Sequence, residues 1–410
     1  MISLLSSQNV IQYLQDVGLL ACEDGASADT ESPQSSKNLN LLVSLAPDRK
    51  LLVKQELSSN DETPQELFKE WLFHQLLESF PVLGNITAIS SLVVHYDEQR
   101  AIIVRKYLTE YLELAKFYQE KNIFPTEIAS AIGSSLASLH RATFNRREYR
   151  NFMTAAPSGV IRYQFFNPAQ TIGLIEPEIF GNIPTNALKF FLLYQSFDSL
   201  ESSIAELAAE WNPCCLIHYD LKLENILVHS RYSQLDNCLV RLIDWSTCAW
   251  GDPAYDLGNL LGSYIKIWLD SLVVDPTIDF EESLQLAVTP LEEIQPSMLA
   301  LIRSYLDTFP LLLSYRKNLI LRIVQFAGLA LFNQIQENIK VSKHFDNSDI
   351  CKLQVAKNLL TMPQQSVFTI FGISESQIIK PITKLAKTPA LDKHDNLLRL
   401  YYEKTQLRGC

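Results

Sequence analysis

Two hydrophobic periodicities occupy separate parts of the chain, and this separation most constrains the fold. Within residues 1–108, a helical segment, two short apolar runs, a second helical segment and two further runs follow one another, with turn residues between them. From Leu112 onward, apolar residues recur mostly at helical spacing. The pattern predicts an α+β chain with a small unit of antiparallel strands, residues 1–108, and a large, mainly helical unit, residues 109–410.

The individual elements of the small unit are also predicted. The runs LNLLVSL and KLLVKQEL, divided by APDR, indicate one hairpin, and SLVVHYDEQRAIIVRKYL indicates another. Between them, PQELFKEWLFHQLLESF has helical periodicity. The small polar residues at 23–38 predict a loop.

Composition argues against several classes of protein. The chain carries 35 Lys and Arg against 46 Asp and Glu, and this net charge of −11 does not suit binding to nucleic acid. Seven cysteines without a CxxC pair are typical of reduced thiols. The N-terminus has no basic segment followed by a long apolar core, and the run NLILRIVQFAGLALF contains Arg322 and Gln325 and is too short to span a bilayer. We therefore expect a soluble cytoplasmic protein with no nucleic acid or membrane partner.

The segment LIHYDLKLENILVHS, residues 216–230, places polar side chains between two aliphatic pairs. This pattern predicts a loop between packed strands, with its polar residues in a cleft. Phosphoryl transfer requires a carboxylate to orient the attacking hydroxyl and oxygen ligands for Mg²⁺. Asp220 and Asn225 are five residues apart on this loop, and Asp244 ends the apolar run CLVRLI, which can pair with NILVHS. We expect these three side chains to converge.

The segments HYDLKLENIL and LIDWSTCAWGDPAYDL resemble the aminoglycoside phosphotransferase and choline kinase superfamily, whose pattern is H-G-D-x-x-x-x-N, I-D-W/F and G-D-P-x-x-D-L. The resemblance implies a bilobal protein-kinase-like fold. It also implies that Asp220 is the catalytic base, that Asn225 and Asp244 hold Mg²⁺, and that His218 and Asp256 support the catalytic loop. His140 also matches a position of the superfamily, but packing is the favoured interpretation.

The chain departs from the superfamily pattern at two points. Tyr219 replaces the glycine after the histidine and crowds the loop. The stretch DLKLEN is similar to the protein-kinase loop DLKPEN, and this likeness implies that Lys222 balances charge on the transferring phosphoryl group. A solvated loop lysine is the alternative for Lys222.

The resemblance also implies a nucleotide site in the small unit, for ATP or GTP. Lys54 would hold the α- and β-phosphates and pair with Glu70, with Glu66 as an alternative partner. Backbone groups near Arg105 to Leu108, among them those of Lys106 and Leu108, would hold the base. A solvent-facing lysine on an edge strand is the alternative for Lys54.

A glycine-rich phosphate loop is missing, since Gly25 is the only glycine between the first helix and Lys54. Ser35 and Ser36 are the predicted replacement, although a disordered linker would have the same composition.

The sequence therefore predicts an ATP-dependent (or GTP-dependent) phosphotransferase that acts on a hydroxyl of a small molecule, such as an aminoglycoside or an amino alcohol. One alternative is a Ser/Thr kinase that acts on a precursor peptide in modified-peptide biosynthesis. A second is a catalytically weak pseudokinase scaffold, suggested by Tyr219 and the missing glycine loop. The acid-rich stretch 267–302 is either a solvated surface or a rim that attracts an amine-bearing acceptor.

Overall fold

The computed structural model describes residues 4–21, 27–30, 38–46, 49–57, 66–155, 166–170, 185–235, 237–273, 282, 286–342 and 344–379. Statements about structure below concern these residues.

Five antiparallel strands form the N-terminal sheet in the order β1-β2-β3-β5-β4. Their bounds are β1 Ser27–Thr30, β2 Asn38–Ala46, β3 Arg49–Glu56, β4 Val93–Asp97 and β5 Ile102–Tyr107. Both predicted hairpins are confirmed, since β2 pairs with β3 and β4 with β5. The prediction of a loop at 23–38 is wrong at β1, whose four residues add an edge strand to β2. Their small polar side chains lack the apolar alternation from which strands are predicted.

Each face of this sheet packs against one helix, because side chains alternate along a strand. Leu51, Val53 and Val104 lie on the face covered by helix α1, Val10–Asp16. Ile103 lies on the other face, where it packs with Leu67 of helix α2, Glu66–Ser79. Alternation therefore directs the side chains of Lys54 and Arg105 towards α2, since Lys54 pairs with Ile103 and Arg105 is two residues further along β5.

The remainder of the described chain is mainly helical. The helices are α3 Pro81–Gly84, α4 Leu114–Lys121, α5 Thr126–Thr143, α6 Arg147–Phe152, α7 Thr185–Gln195, α8 Asp198–Ala209, α9 Pro253–Asp270, α10 Leu291–Thr308, α11 Leu312–Tyr315, α12 Leu319–Ser342, α13 Asn347–Thr361 and α14 Pro363–Phe371. Short strands interrupt them: β6 Tyr111–Glu113, β7 Cys215–Ile217, β8 Ile226–His229, β9 Val240–Leu242 and β10 Ala249–Gly251. Strand β8 lies between β6 and β9, and β7 pairs with β10.

Close helix packing forms the core of this helical region. A Cβ atom added to Gly133 of α5 would lie 2.2 Å from the carbonyl oxygen of Leu301 in α10, and one added to Gly258 of α9 would lie 2.3 Å from Cβ of Phe326 in α12. The two helix pairs approach closely because glycine has no side chain at these points. Antiparallel sheet and helices are thus segregated along the chain, as predicted, while the boundary after residue 108 stays a prediction.

The apolar part of helix α12 extends beyond the run NLILRIVQFAGLALF, which ends at Phe332. Its residues Leu319–Ile339 are apolar and numerous enough to cross a membrane, so the prediction that this segment is too short was wrong. In the structure, 72% of its most apolar window is buried, mainly against α9 and α13. This burial is typical of a core helix.

Candidate active site

The loop between β7 and β8 brings Asp220, Lys222 and Asn225 together. A 3₁₀ turn at Leu223–Asn225 folds the loop back. Nδ2 of Asn225 then donates to the backbone carbonyl of Asp220 at 2.7 Å and to its Oδ2 at 3.2 Å. Nζ of Lys222 lies 2.9 Å from the same Oδ2. The amide group of Asn225 is therefore oriented, with its nitrogen towards Asp220.

Asp244 reaches this loop through the pairing of β8 with β9. Ile226 pairs with Leu242, and the backbone N–H of Ile243 donates to the carbonyl of Asn225 at 3.0 Å. Asp244 follows with φ 65° and ψ 63°, a left-handed conformation that aspartate adopts more readily than most residues. The strand pairing therefore places Asp244 beside Asn225 at one end of the small sheet, as predicted.

Asp256 holds the loop between β7 and β8 from the first turn of helix α9. The side chain is completely buried, and its two oxygens accept from the backbone N–H groups of His218, at 2.7 Å, and Tyr219, at 2.9 Å. His140 contributes as well, with Nε2 3.4 Å from Oδ2 of Asp256 and Nδ1 2.9 Å from the hydroxyl of Tyr305. A buried carboxylate with two backbone donors fits the supporting role expected of Asp256.

His218 connects the loop to the strand that carries Asp244. Its Nε2 lies 2.8 Å from the carbonyl oxygen of Ile243, and its ring packs against Trp245 with centroids 4.5 Å apart. A carbonyl oxygen only accepts, so Nε2 carries the proton in this contact. His218 therefore contacts the residue directly before Asp244, and its role in supporting the loop stays a prediction.

Tyr219 occupies the position of the superfamily glycine with φ 73°. Glycine adopts such a backbone without strain, whereas a tyrosine there is strained. The loop nevertheless keeps the bond from Tyr219 N–H to Asp256, and the tyrosine ring packs against Tyr255. Burial raises the pKa of the Tyr219 hydroxyl to about 12, so the ring stays neutral at physiological pH.

On the sheet side of the cleft, the predicted pairing of Lys54 with Glu70 is not what the structure contains. Nζ of Lys54 donates to Oδ2 of Asp244 at 3.3 Å. Glu70 is instead paired with Arg105 of β5, and the same Arg105 nitrogen lies 3.7 Å from Oδ1 of Asp244. The physical reason is geometric, because Lys54 and Arg105 share one face of the sheet and the arginine reaches Glu70. The backbone N–H of Glu66, the alternative partner, donates to Oε1 of Glu56 at 2.9 Å.

Four charged groups lie together here, and we call them the Lys54/Arg105 cluster: Lys54, Glu70 and Arg105, which are buried, and Asp244, which is one third exposed. Burial raises the pKa of Asp244, but the neighbouring charges of Lys54 and Arg105 outweigh it and hold that pKa well below its usual range. Burial dominates at Glu70 and raises its pKa, although Arg105 and Lys54 oppose this. Asp244 is therefore a carboxylate at neutral pH, as a Mg²⁺ ligand must be.

Lys222 is held at the mouth of the cleft. Its side chain is 42% exposed and its pKa is raised, because the attraction of Asp220 outweighs the effect of burial. The lysine is thus cationic and adjacent to the expected catalytic base, which agrees with either a catalytic or a solvated lysine.

The predicted base-binding residues follow strand β5. The backbone N–H of Lys106 donates to Leu92 at 2.8 Å, and the carbonyl of Leu108 accepts from Tyr111 at 3.2 Å. These two groups are therefore engaged within the protein, and the assignment of Lys106 and Leu108 to base binding stays a prediction. Ser35 and Ser36 lie outside the described residues.

The donors near the loop suit Mg²⁺. The described residues contain no group of three or more His, Cys, Asp or Glu side chains that could hold a metal. Mg²⁺ needs no such cage, because it commonly binds one or two protein oxygens together with water and substrate phosphates. The Asp244 carboxylate and the Asn225 amide oxygen, whose nitrogen is bonded to Asp220, provide such a pair.

Arg105 is the residue that sequence reasoning missed. Its charge was visible in AIIVRKYL, and the strand alternation that puts it on the same face as Lys54 could have identified it. The prediction considered only backbone groups in this segment, since strand ends near a nucleotide base need no special side chain.

An antiparallel sheet before a helical region, with the HYDLKLEN loop and Asp244 at the cleft, defines the class of kinase-like phosphotransferases. The model of the APH phosphotransferase enzyme family matches residues 33–286, which is more than half of the chain. The chain therefore belongs to this phosphotransferase family and has its bilobal protein-kinase-like fold. No curated protein sequence matches it.

Several solved structures are similar. A choline kinase of Streptococcus pneumoniae has 15% identity and a TM-score of 0.43, over 86% of this chain and 98% of that one. A macrolide 2'-phosphotransferase of Brachybacterium faecium has 15% identity and a TM-score of 0.42, over 87% and 99%. A choline/ethanolamine kinase family protein of Mesorhizobium loti has 14% identity and a TM-score of 0.41, over 85% and 98%. The family assignment depends on the family model and not on these distant likenesses.

Proposed function

We propose that the protein is a Mg²⁺-dependent kinase that transfers the γ-phosphoryl group of ATP (or GTP) to a hydroxyl of a small molecule. The observation that carries the proposal is the contact between Lys54 and Asp244, 3.3 Å apart. It joins the sheet that would bind nucleotide phosphates to the carboxylate beside the catalytic loop. The family assignment supports the same reaction class.

Each side chain of the site has a separate role in the proposed reaction. Asp220 aligns the acceptor hydroxyl and accepts its proton, and Lys222, 2.9 Å from Asp220, balances charge on the transferring group. Lys54 holds nucleotide phosphates. Asn225 and Asp244 would hold Mg²⁺, which supplies charge neutralisation at the phosphate oxygens when bound.

The acceptor is a small hydroxylated molecule in our proposal, because small-molecule kinases typify the family. The similar choline kinase and macrolide phosphotransferase illustrate the range of acceptors in their own names, an amino alcohol and an antibiotic. We also place the protein in the cytoplasm, where ATP is available.

Asp220 provides the direct test. A transfer screen, read by mass spectrometry, would offer the protein ATP, Mg²⁺ and sets of aminoglycosides, amino alcohols and Ser/Thr peptides. Asp220→Asn should lower turnover on the accepted substrate by about 10²–10⁴-fold, since it removes the base, and should leave ATP binding nearly unchanged. Normal turnover of Asp220→Asn would refute the assignment of the base.

Glu224→Gln is the matched control, because Glu224 is an exposed acid on the same loop. We expect its turnover to stay within about twofold of the wild-type value, as for a surface substitution. Transfer to peptides alone would favour the precursor-peptide kinase. Nucleotide binding without transfer to any acceptor would favour the pseudokinase, although the bond from Tyr219 N–H to Asp256 supports an ordered catalytic loop.

A further inference from the structure

The buried arginine of the Lys54/Arg105 cluster has a geometry that neither the family pattern nor the proposed mechanism uses. Arg105 is 5% exposed and Glu70 is 4% exposed, so the pair lies away from solvent. One Arg105 nitrogen contacts Oε2 of Glu70 and lies 3.7 Å from Oδ1 of Asp244. Arg105 therefore lies between the helix α2 carboxylate and the candidate metal ligand.

The two oxygens of Asp244 are held from different sides. Oδ2 accepts from Lys54 at 3.3 Å, and Oδ1 accepts from Ser246 at 3.1 Å with Arg105 nearby. If Lys54 turns to a nucleotide phosphate, Arg105 and Ser246 still orient the carboxylate. The side chain of Arg105 suits this task because its planar fork presents several donors in fixed directions.

We propose that Arg105 is a positioning residue that orients Asp244 for Mg²⁺, and that Glu70 acts by holding Arg105 and not by holding Lys54. The inference rests on the proposed function, since it assigns a role within the same nucleotide site. It differs from the arrangement expected from the superfamily, in which the helix glutamate positions the strand lysine. Loss of Glu70 should therefore raise the Mg²⁺ concentration that nucleotide binding requires more than it weakens nucleotide binding in the absence of Mg²⁺.

The two arrangements predict different binding behaviour. The experiment measures the dissociation constant of a non-hydrolysable ATP analogue by calorimetry, in EDTA and across a series of free Mg²⁺ concentrations. Lys54→Met should weaken binding both with and without Mg²⁺, because it removes a direct phosphate contact. Arg105→Met and Glu70→Gln should behave alike. Each should need about 10–100-fold more free Mg²⁺ to reach the tight binding of the ATP analogue, while its dissociation constant in EDTA stays within about twofold of the wild-type value.

Two further variants make the test specific. Arg105→Lys keeps the charge without the fork and should recover part of the Mg²⁺ response, which a merely structural role would not require. Arg100→Met is the matched control, because Arg100 lies on the turn between β4 and β5 with half of its side chain exposed, and it should behave as wild type. If Arg105→Met fails to fold, Arg105→Lys and Glu70→Gln still decide the question.

The contrary results are equally clear. If Glu70→Gln weakens binding in EDTA as Lys54→Met does, while Arg105→Lys keeps a normal Mg²⁺ response, Glu70 serves Lys54 and the inference is wrong. The inference would also be overturned if the Arg105 and Glu70 variants lost equal affinity for the ATP analogue with and without Mg²⁺. The pair would then only stabilise the fold of the N-terminal region. A wild-type protein that binds no nucleotide at any Mg²⁺ concentration would instead refute the proposed function.

Discussion

Replacement of Asp256 by asparagine would test how the catalytic loop is held. The carboxylate is completely buried and accepts two backbone N–H bonds, at 2.7 Å from His218 and 2.9 Å from Tyr219. An asparagine has one oxygen, so one of these N–H groups would face an NH₂ group, which is also a donor. The substitution thus removes one hydrogen bond to the backbone and keeps the volume of the side chain.

The expected cost follows from that lost bond. A hydrogen bond to a charged acceptor contributes about 1.5–3 kcal/mol, and the buried donor left without an acceptor adds to the loss, so Asp256→Asn should lower the free energy of unfolding by about 2–4 kcal/mol. Because the loop carries Asp220, a displacement of its backbone should also lower turnover by about 10–100-fold. The KM for ATP should change less than turnover, since Lys54 and Asp244 lie outside the loop and only Asn225 of the proposed nucleotide and Mg²⁺ contacts lies on it.

Urea unfolding followed by tryptophan fluorescence measures the stability, and Trp245 beside His218 reports on the loop itself. The control is Asp270→Asn at the other end of the same helix, where the acid is 38% exposed and pairs with Lys266 and, at 2.8 Å, with the buried Lys352; an asparagine there keeps an oxygen that can accept from these lysines. That change should cost no more than about 1 kcal/mol. If Asp256→Asn unfolds within about 0.5 kcal/mol of wild type, or costs no more than Asp270→Asn, the two backbone bonds do not hold the loop.

Three further predictions concern packing, pH and thiol chemistry. Gly133→Ala should lower the free energy of unfolding by about 1–3 kcal/mol, because the new Cβ would lie 2.2 Å from the carbonyl oxygen of Leu301. The control is Gly84→Ala, whose new Cβ would have its nearest atom at 3.2 Å and should cost less. Thermal unfolding measures both variants, and equal costs would contradict the argument. Burial raises the pKa of the Cys248 thiol to about 12. The unfolded thiol ionises from about pH 8.5 and the folded one does not, so Cys248 contributes stability below that pH that is lost as the pH rises, and Cys248→Ala should show a weaker alkaline decline in melting temperature. Cys214 and Cys215 are buried as well, so at pH 8 a thiol reagent should label these three only after unfolding, and rapid labelling of any of them in the native protein would refute their burial.

The sequence was sufficient for the parts of the fold that follow local periodicity. Both N-terminal hairpins, helix α2 and the helical region were predicted, because alternating or helical spacing of apolar residues is visible in a single chain. Strand β1 was missed because its SADT sequence has no apolar alternation. The apolar stretch of α12 was underestimated, since it was ended at Phe332 although Leu319–Ile339 is apolar enough to span a membrane.

The candidate site divides in the same way. The neighbourhood of Asp220, Asn225 and Asp244 could be predicted, because one loop and one strand pairing determine it. The partner of Glu70 could not, because that contact depends on which of two cations on one sheet face reaches α2. Strand alternation in the sequence shows on which face of the sheet a lysine or an arginine lies. Which of the two side chains contacts Glu70 depends on three-dimensional packing. The sequence could therefore place Arg105 on the face of Lys54, but only coordinates could assign its contact with Glu70.

The burial of helix α12 has a consequence for the making of the protein. A segment that is apolar enough to enter a lipid bilayer leaves the ribosome ahead of α13, which covers one side of it. Gly328 of α12 lies against Leu359 and Leu360 of α13, so this cover fits closely. Until α13 emerges, that side of α12 exposes an apolar surface that chaperones and the secretion machinery can bind. Helix α13 thus covers an apolar surface that would favour aggregation if it stayed exposed.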